Sequence, residues 1–415
     1  MHIYTRAVGL RICLVTPFSW SQPHDVNEHV AGAATELRRL GHDVTVLAPS
    51  GRASDLIAGR RALADGANGE VIAVGPAVPI SRRSRIGLPV GVRANLALAL
   101  SRGGYDVVHG FEPGLPSLSY VALRDSRALA VASFFSPERL SYPPSRAQRG
   151  RLLSRIDALL AVSPETAAAA AQRFPGDYRL TPLGIDTELF HPIEKRDVIV
   201  CEWRPGERLL TKALYSIMKE LPGWELMLLR TKALAGRPSV PSRLRGRVRV
   251  RTARSGLARA SILNEAPIFV PALTGLRRVR VEASAAGAAI AAPPGVHEQP
   301  ALAAAAVARL AESPELRGEV AAEARRGAEG ESFAELGREL DELYRSLAGR
   351  RRRSKESDPL ADRPWITVDL HMHTSWSHDC LVEPEELVEH AVAEGLGAIA
   401  VTDHNVFGGA QATVE

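Results

Sequence analysis

The chain has 415 residues, of which 45% are apolar and 24% are charged, which is typical of a folded protein of two or three domains. These values exclude a disordered or fibrous chain, while the net charge of +5 favours anionic partners. Cys13, Cys201 and Cys380 are far apart, which argues against a disulfide framework and favours a reducing compartment. Without an apolar span or a signal peptide, we expect a cytoplasmic protein, with peripheral contact at the inner face of the membrane left open.

Apolar runs alternate with amphipathic segments along residues 1–185. "RICLVT" predicts a strand, the segment from Val30 to Leu40 has its apolar residues at helical spacing, and "DVTVLA" predicts the next strand. The alternation continues through "EVIAVG", "YDVVHG", "ALAVASF" and "DALLAVS". This order predicts a first α/β domain with a parallel sheet and helices on both faces.

A second series of the same kind covers residues 186–349. Its strands are predicted at "DVIVC", "WELMLL", "RVRVR", "PIFVPA" and "AAIAAP", with helical segments between them and at the end. The alternating "RVRVR" is typical of a half-exposed strand, so its arginines are interpreted as a solvated face rather than a binding surface. Residues 350–364 are charged and contain proline, which predicts a linker, and a new pattern fills residues 365–415.

Four ordered segments of the first two domains resemble one family. The stretch from "ICLVTPFSW" to "VTVLAPSG", then "YDVVHGFEPGLPSL", "DALLAVSPET" and "PLGIDTELFHP", is similar to family 4 glycosyltransferases of the phosphatidylinositol mannosyltransferase type. The resemblance covers about residues 10–345. It implies two facing Rossmann-like domains (the GT-B fold) and transfer of a sugar, with retention of configuration, from a UDP- or GDP-linked donor.

The resemblance implies functional roles for several residues of the first domain. At some of these positions the sequence differs from the family. His24 and Asp25 stand where the family has a glycine pair, with Asp25 on the acceptor side, and Phe135 replaces a histidine that contacts the sugar. His109 and Glu112 match positions near the acceptor, and His109 is a catalytic candidate. The alternative for His109 is a structural histidine at the end of a strand.

The second domain departs from the family in its donor site. Cys201 and Glu202 replace a Gly-Arg pair, whereas Arg208 matches a lysine and is a candidate for neutralising the departing diphosphate. Thr274 replaces the first glutamate of a paired motif, and Glu282 retains the second, which would hold a ribose hydroxyl. The loop "PPGVHEQP" is shorter than in the family. We therefore expect a transferase with an altered donor site; the alternative is a non-catalytic module that binds a nucleotide or sugar phosphate.

An arginine-rich loop follows the third predicted strand. Arg82, Arg83 and Arg85 lie in "ISRRSRIG", where the resemblance implies a loop on the acceptor side. Cations near an anionic membrane each contribute about 1 kcal/mol, so peripheral contact with acidic lipid is one interpretation and a solvated loop is the other. No motif of a nucleic-acid-binding protein accompanies the arginines, so no nucleic acid is expected.

Potential metal ligands cluster near the end of the sequence. "ITVDL" predicts a buried strand that carries His371 and His373 on one face at its end, and Asp379 follows six residues later. A helix and the strand "AIAV" come next, and Asp403 and His404 follow that strand. Adjacent parallel strands would bring these residues to one carboxyl edge, where imidazoles and carboxylates can hold divalent ions.

"DLHMHT", the aspartate at 379 and "TDHN" resemble the first motifs of the PHP (polymerase and histidinol phosphatase) family. The resemblance implies the first strands of a (β/α) barrel, with His371, His373, Asp379 and His404 as ligands of Zn, Mn or Fe and Asp403 as a supporting residue behind them. It implies metal-dependent hydrolysis of a phosphate ester. Because the family draws further ligands from later strands, we expect this chain to be the front of a longer fusion protein. The alternative is that the short unit docks on the larger one or completes the site of another subunit.

Overall fold

The structure is a computed structural model, and it divides the chain into two compact units, Met1–Gly349 and Arg350–Glu415. It describes residues 9–66, 69–81, 84–86, 89–231, 236–274, 277–356 and 366–414.

The first half of the larger unit is an α/β domain. Its strands are β1 (Arg11–Val15), β2 (Asp43–Ser50), β3 (Val71–Pro76), β4 (Val78–Ser81), β5 (Ser84–Ile86), β6 (Val107–Phe111), β7 (Leu129–Phe134), β8 (Ala158–Ala161) and β9 (Tyr178–Leu180). Its helices are α1 (Asp25–Arg39), α2 (Ala53–Ala64), α3 (Pro89–Gly103), α4 (Leu118–Asp125), α5 (Arg146–Leu153) and α6 (Pro164–Arg173). Seven of the strands form a parallel sheet in the order β3-β2-β1-β6-β7-β8-β9, and β4 and β5 form an antiparallel hairpin.

Helix α1 packs against this sheet through one apolar face. Val26, Val30 and Leu37 recur at helical spacing and are fully buried, so one face of the helix packs into the core. The Val26 N–H donates to the His24 side chain at the start of the helix. The helix ends before Gly41, whose φ of 91° is readily adopted only by glycine.

The second half of the larger unit repeats the architecture with a five-stranded parallel sheet. Its strands are β10 (Val198–Glu202), β11 (Glu225–Arg230), β12 (Val248–Thr252), β13 (Ile268–Val270) and β14 (Ala289–Ile290), in the order β12-β11-β10-β13-β14. Its helices are α7 (Arg208–Ile217), α8 (Gly256–Leu263), α9 (Arg277–Ala285), α10 (Ala301–Glu312), α11 (Pro314–Glu329) and α12 (Phe333–Glu356). The prediction of two consecutive Rossmann-like domains is confirmed.

Helix α12 connects the second half of the unit back to the first. Its Tyr344 is fully buried in the core of the first sheet, and its Asp341 lies 2.7 Å from the ring of His42. The helix extends to Glu356, so residues 350–356 of the predicted linker are helical. Residues 357–364 of that linker lie outside the described residues.

The smaller unit contains β15 (Thr367–Met372), α13 (Pro384–Ala393), β16 (Leu396–Val401) and α14 (Gly408–Ala412). The two strands are parallel, as predicted. The prediction of a buried strand was wrong, because Val368 and Leu370 of β15 are 42% and 71% exposed. In a two-stranded sheet each strand has one neighbour, and α13 and α14 pack against β16. None of the helices in the described part of the chain is both long and apolar enough to cross a membrane.

Candidate functional site

Three of the predicted metal ligands converge at one edge of the small sheet. His373 directly follows β15, His404 follows β16, and Asp379 lies in the loop between β15 and α13. One ligand atom from each residue lies within 4.8 Å of the others. Parallel pairing brings the two strand ends together. The fold thus places His373 and His404 side by side although they are 31 positions apart in the sequence.

The contacts within this cluster join imidazole to carboxylate. His373 Nδ1 lies 3.0 Å from one Asp379 oxygen, and His404 Nε2 lies 3.3 Å from the other. The hydrogen bond from His373 lowers the pKa of Asp379, which favours the ionised carboxylate. His373 Nε2 is buried and has no hydrogen-bond partner among the described residues. A buried ring nitrogen without a partner requires an explanation, and a bound ion is one.

Two further histidines lie beside the cluster. The ring of His371, the fourth predicted ligand, is 5.0 Å from the ring of His373, but His371 is not part of the group within 4.8 Å. His378, which the sequence analysis left without a role, has its ring 5.0 Å from that of His404. The structure therefore groups three of the four predicted ligands and places His371 next to them.

Asp403 holds the loop that carries these ligands. Its two oxygens accept hydrogen bonds of 2.7 Å from the backbone N–H and the hydroxyl of Thr374, which directly follows His373. The Ser377 hydroxyl accepts a 2.8 Å hydrogen bond from the His404 N–H. Sequence analysis missed Thr374 and Ser377, although both lie between the predicted ligands His373 and Asp379 in the sequence. A Cβ on Gly409 would collide with both Asp403 and Thr374, so this position needs glycine.

The donor set fits a divalent ion. Neutral imidazole and ionised carboxylate are the ligands that Zn²⁺, Mn²⁺ and Fe²⁺ share, and three protein ligands are usual for a catalytic zinc ion. The side chains of Asp379 and His404 are 45% and 47% exposed, so substrate can reach the cluster. The cluster therefore has the chemistry and the access of a catalytic metal site.

In the larger unit, His109 lies within the buried strand β6. Its side chain is fully buried, and its ring nitrogens are 2.6 Å from the Tyr344 hydroxyl and 2.7 Å from the Ser133 hydroxyl. Burial lowers the pKa of His109 well below its ordinary value, so the ring is neutral. Both ring nitrogens are thus engaged by hydroxyls, and the catalytic assignment of His109 stays a prediction. Phe135 packs its ring 4.8 Å from that of buried His29.

Asp25 and Glu112, the predicted acceptor-side residues, meet around Arg139. Arg139 donates a 3.0 Å hydrogen bond to Glu112 and lies 3.9 Å from Asp25. It also covers the ring of Phe18, which stacks on His24 at 3.6 Å. Glu112 is fully buried with a φ of 51°, and its second oxygen has no hydrogen-bond partner among the described residues. Burial raises the pKa of Glu112 to about 7, against the opposing effect of Arg139.

Glu282 is enclosed in an ion-pair network. Its two oxygens accept hydrogen bonds of 2.5 and 2.7 Å from Arg259, and its side chain is 1% exposed. Arg259 also donates a 2.7 Å hydrogen bond to Glu28, so the network joins the two halves of the unit. The predicted contact of Glu282 with a ribose hydroxyl stays a prediction, and in this arrangement each of its oxygens already accepts one hydrogen bond from Arg259. Glu28 and Arg259 were missed because they are 231 positions apart.

The remaining donor-site residues lie at the carboxyl edge of the second sheet. The N–H and hydroxyl of Thr274 both donate 2.8 Å hydrogen bonds to Glu207. Glu202, which stands where the family has an arginine, is 1% exposed and accepts a 2.6 Å hydrogen bond from Arg204, which balances its charge. Arg208 is exposed at the first position of α7 and lines a cavity.

The predicted lipid-contacting loop is only partly described. Arg82 and Arg83 lie outside the described residues. Arg85 belongs to β5, whose backbone pairs with β4.

Comparison with known proteins finds one family match in each unit. Residues 26–189 match the family Glycosyltransferase Family 4, and residues 369–415 match the PHP domain. These two matches agree with the two resemblances seen in the sequence.

The similar curated proteins fall into two groups. A phosphatidyl-myo-inositol mannosyltransferase of Propionibacterium freudenreichii is 31% identical over 226 residues, which are 52% of this chain and 56% of that protein. The Mycobacterium tuberculosis H37Rv protein of that name is 26% identical over 314 residues, 68% of this chain and 77% of that protein. This chain therefore spans little more than half the length of the Propionibacterium relative. An error-prone DNA polymerase of Nocardia farcinica is 45% identical over 64 residues, 14% of this chain and 6% of the polymerase.

Solved structures confirm the fold of the larger unit. A glycosyltransferase from Rickettsia africae has a TM-score of 0.56 at 14% identity, over 81% of this chain and 98% of its own. A pneumococcal O-GlcNAc transferase has a TM-score of 0.53 at 11% identity, over 81% and 99%. The predicted GT-B fold is confirmed.

Proposed function

We propose that the smaller unit binds divalent metal and hydrolyses phosphate esters. The observation that carries this proposal is the convergence of His373, Asp379 and His404 at the ends of two adjacent parallel strands. The PHP match over the same residues supports it. His371 is proposed as a further ligand, because its ring lies next to that of His373.

Each residue of the cluster would have a distinct role in binding the metal. Asp379 contributes negative charge, and the imidazoles of His373 and His404 contribute neutral nitrogen donors. A metal bound there would polarise a phosphoryl oxygen and lower the pKa of a water molecule. Asp403 fixes the loop through Thr374, so that His373 stays oriented toward Asp379.

The test compares two histidine variants of the full chain. Metal-free protein is titrated with Mn²⁺ and Zn²⁺ by calorimetry, and release of phosphate from a phosphomonoester is then measured. We expect His404→Gln to lose metal binding and hydrolysis together, whereas His390→Gln should retain both, because His390 is exposed on α13. Equal metal affinity in the two variants would contradict the proposal.

For the larger unit, we propose transfer of a sugar from a UDP- or GDP-linked donor with retention of configuration. The family 4 match and the mannosyltransferase relatives support this assignment, and the names of those relatives favour an inositol-containing lipid acceptor at a membrane surface. Arg208 would neutralise donor phosphate, and Asp25 and Glu112, which meet around Arg139, would contact the acceptor.

The Arg259–Glu282 pair favours a second candidate for this unit. Because both oxygens of Glu282 already accept hydrogen bonds from Arg259, the second candidate is a module that binds a nucleotide or sugar phosphate without turnover. Release of UDP or GDP from a panel of nucleotide sugars, accelerated by an inositol lipid, would establish transfer. Saturable nucleotide binding without such release would establish the module.

A further inference from the structure

Two exposed aromatic residues of the smaller unit lie beside its metal cluster. Trp376 is 54% exposed and lies in the loop between the proposed ligands His373 and Asp379. Phe407 is 88% exposed and comes shortly after the proposed ligand His404. These segments follow the ends of the parallel strands β15 and β16. Both aromatic residues therefore lie at the edge of the small sheet that bears the cluster.

The position of Trp376 is fixed by its surroundings. Its ring packs directly against the backbone of Gly408, the residue after Phe407, where a Cβ would collide with the ring. The Trp376 N–H donates a 3.3 Å hydrogen bond to the hydroxyl of Thr374, which in turn binds Asp403. An exposed ring that is already held in place loses little conformational entropy when a ligand stacks on it.

The charge of the smaller unit limits what it can bind. Residues 365–415 include acidic side chains but no lysine or arginine. A substrate with several phosphate groups would meet this negative charge without a side-chain cation of the unit to offset it. In the proposed reaction the metal holds one phosphoryl group. We therefore expect most of the remaining affinity to come from the alcohol part of the ester.

The two aromatic side chains favour a planar aromatic partner. Aromatic rings attract one another in offset-stacked or edge-to-face arrangements, beyond the effect of the apolar area that they bury. The exposed Val368 and Leu370 differ from them, because they lie within β15 rather than beyond its end. Trp376 and Phe407 thus offer a surface on which a ring can lie while its phosphate reaches the cluster.

We propose that Trp376, together with Phe407, determines the specificity of the smaller unit by stacking on a planar aromatic ring in the alcohol part of the substrate. The substrate is a phosphomonoester of an alcohol that carries such a ring, either a simple aryl-substituted alcohol or a nucleoside. This inference rests on the phosphoesterase function proposed for the unit. Neither aromatic residue belongs to the motifs that carry the family resemblance or to the proposed ligands.

The test uses the full chain loaded with Zn²⁺ and three probes that resist hydrolysis, each titrated by calorimetry: benzylphosphonate, cyclohexylmethylphosphonate, which is similar in size but not planar, and methylphosphonate. We expect benzylphosphonate to bind most tightly. Trp376→Ala should weaken its binding about tenfold and leave that of methylphosphonate unchanged, whereas Trp376→Phe should retain most of the affinity. Phe407→Ala should weaken the binding of benzylphosphonate about threefold.

The matched control is Val392→Ala, which removes another exposed apolar side chain of the unit. Val392 lies near the end of α13, which leads into the start of β16 and thus to the opposite edge of the sheet. This variant should bind all three probes as the native protein does. Equal affinities of Trp376→Ala and the native protein for benzylphosphonate would overturn the proposal. A parallel loss of methylphosphonate in Trp376→Ala would also overturn it, because it would show a structural role.

Hydrolysis of benzyl phosphate and of adenosine monophosphate distinguishes the two sources of the ring, because the ester with the lower KM identifies the source. Trp376→Ala should raise that KM and leave kcat nearly unchanged. If both esters are hydrolysed but benzylphosphonate and cyclohexylmethylphosphonate bind equally, the stacking proposal fails and the phosphoesterase function stands. If the binding of benzylphosphonate requires Trp376 but neither ester is hydrolysed, the stacking stands and the phosphoesterase function fails.

Discussion

The charged cluster of the larger unit and that of the smaller unit differ in what their atoms contact. Glu282 is 1% exposed and Arg259 is 5% exposed, and each oxygen of Glu282 meets a nitrogen of Arg259. In the smaller unit, Asp379 and His404 are nearly half-exposed, and the buried Nε2 of His373 has no partner among the described residues.

This difference separates a structural role from a binding role. A buried ion pair with all its atoms satisfied stabilises one arrangement of the fold, whereas convergent ligands with unsatisfied atoms leave room for an ion. Both clusters contain residues that sequence motifs marked as functional. Motif membership alone therefore does not tell which of them can bind a ligand.

Removing Arg259 should have the largest effect. Arg259→Met leaves Glu282 as a buried, unpaired carboxylate, and we expect a loss of about 3–5 kcal/mol in the free energy of unfolding. Urea denaturation followed by circular dichroism measures it. Arg249→Met is the control, because its pair with Glu225 is exposed and should contribute less than about 1 kcal/mol. Equal losses in the two variants would contradict the structural assignment of the network.

Removing Asp379 should affect metal binding rather than folding. Asp379→Asn keeps the shape of the side chain but removes its charge, so we expect metal affinity to fall more than about a hundredfold. Residues that only hydrogen-bond to a metal ligand usually change the affinity by less than this. Titration with Co²⁺, followed by its absorption spectrum, measures the affinity. The urea midpoint should stay unchanged. A variant that binds Co²⁺ like the native protein would remove Asp379 from the site.

Glu112 should make the larger unit less stable as pH rises. Its pKa in the folded protein is about 7, above its ordinary value of 4.5. Below pH 4.5 the carboxyl is protonated in both states and contributes no difference. Between pH 4.5 and 7 the unfolded chain loses the proton and the folded protein keeps it, so the folded state loses stability, by about 3 kcal/mol in all.

Comparison with Glu112→Gln isolates this effect. The stability difference between the variant and the native protein should grow in favour of the variant from pH 4.5 to 7 and then stay constant. Other buried groups, such as the neutral His29 and His109, contribute equally to both proteins and cancel. A difference independent of pH would show that Arg139 keeps Glu112 ionised throughout.

The smallest effect is expected at Thr374, behind the metal ligands. Thr374→Val removes the hydroxyl that binds Asp403 but leaves every ligand in place, so we expect metal affinity to fall about tenfold. Thr367→Val, at the exposed start of β15, serves as the control and should bind as before. An unchanged affinity in both would show that the Asp403 contact does not orient His373.

Local sequence patterns determined much of the fold. Residues only a few positions apart determine three features of the fold. These are the strands β1 and β10, the apolar face of α1, and the end of α1 at Gly41. The metal cluster was also predictable, because His373 and Asp379 are close in sequence and His404 follows the next strand of a parallel pair. The exposure of β15 was not predictable from its own residues, since burial depends on what packs against a strand.

The sequence by itself determined the two Rossmann-like sheets, the strand ends that carry the histidines, and the resemblance to two families. Periodicity and short motifs are local properties, so they can be read without coordinates. Only the tertiary structure decided that Glu282 is paired with Arg259 and Glu28, that His109 is buried against Tyr344, and that the ring of Trp376 packs against Gly408. Such contacts join residues that are distant in the chain, and their partners are set by the packing of the whole unit.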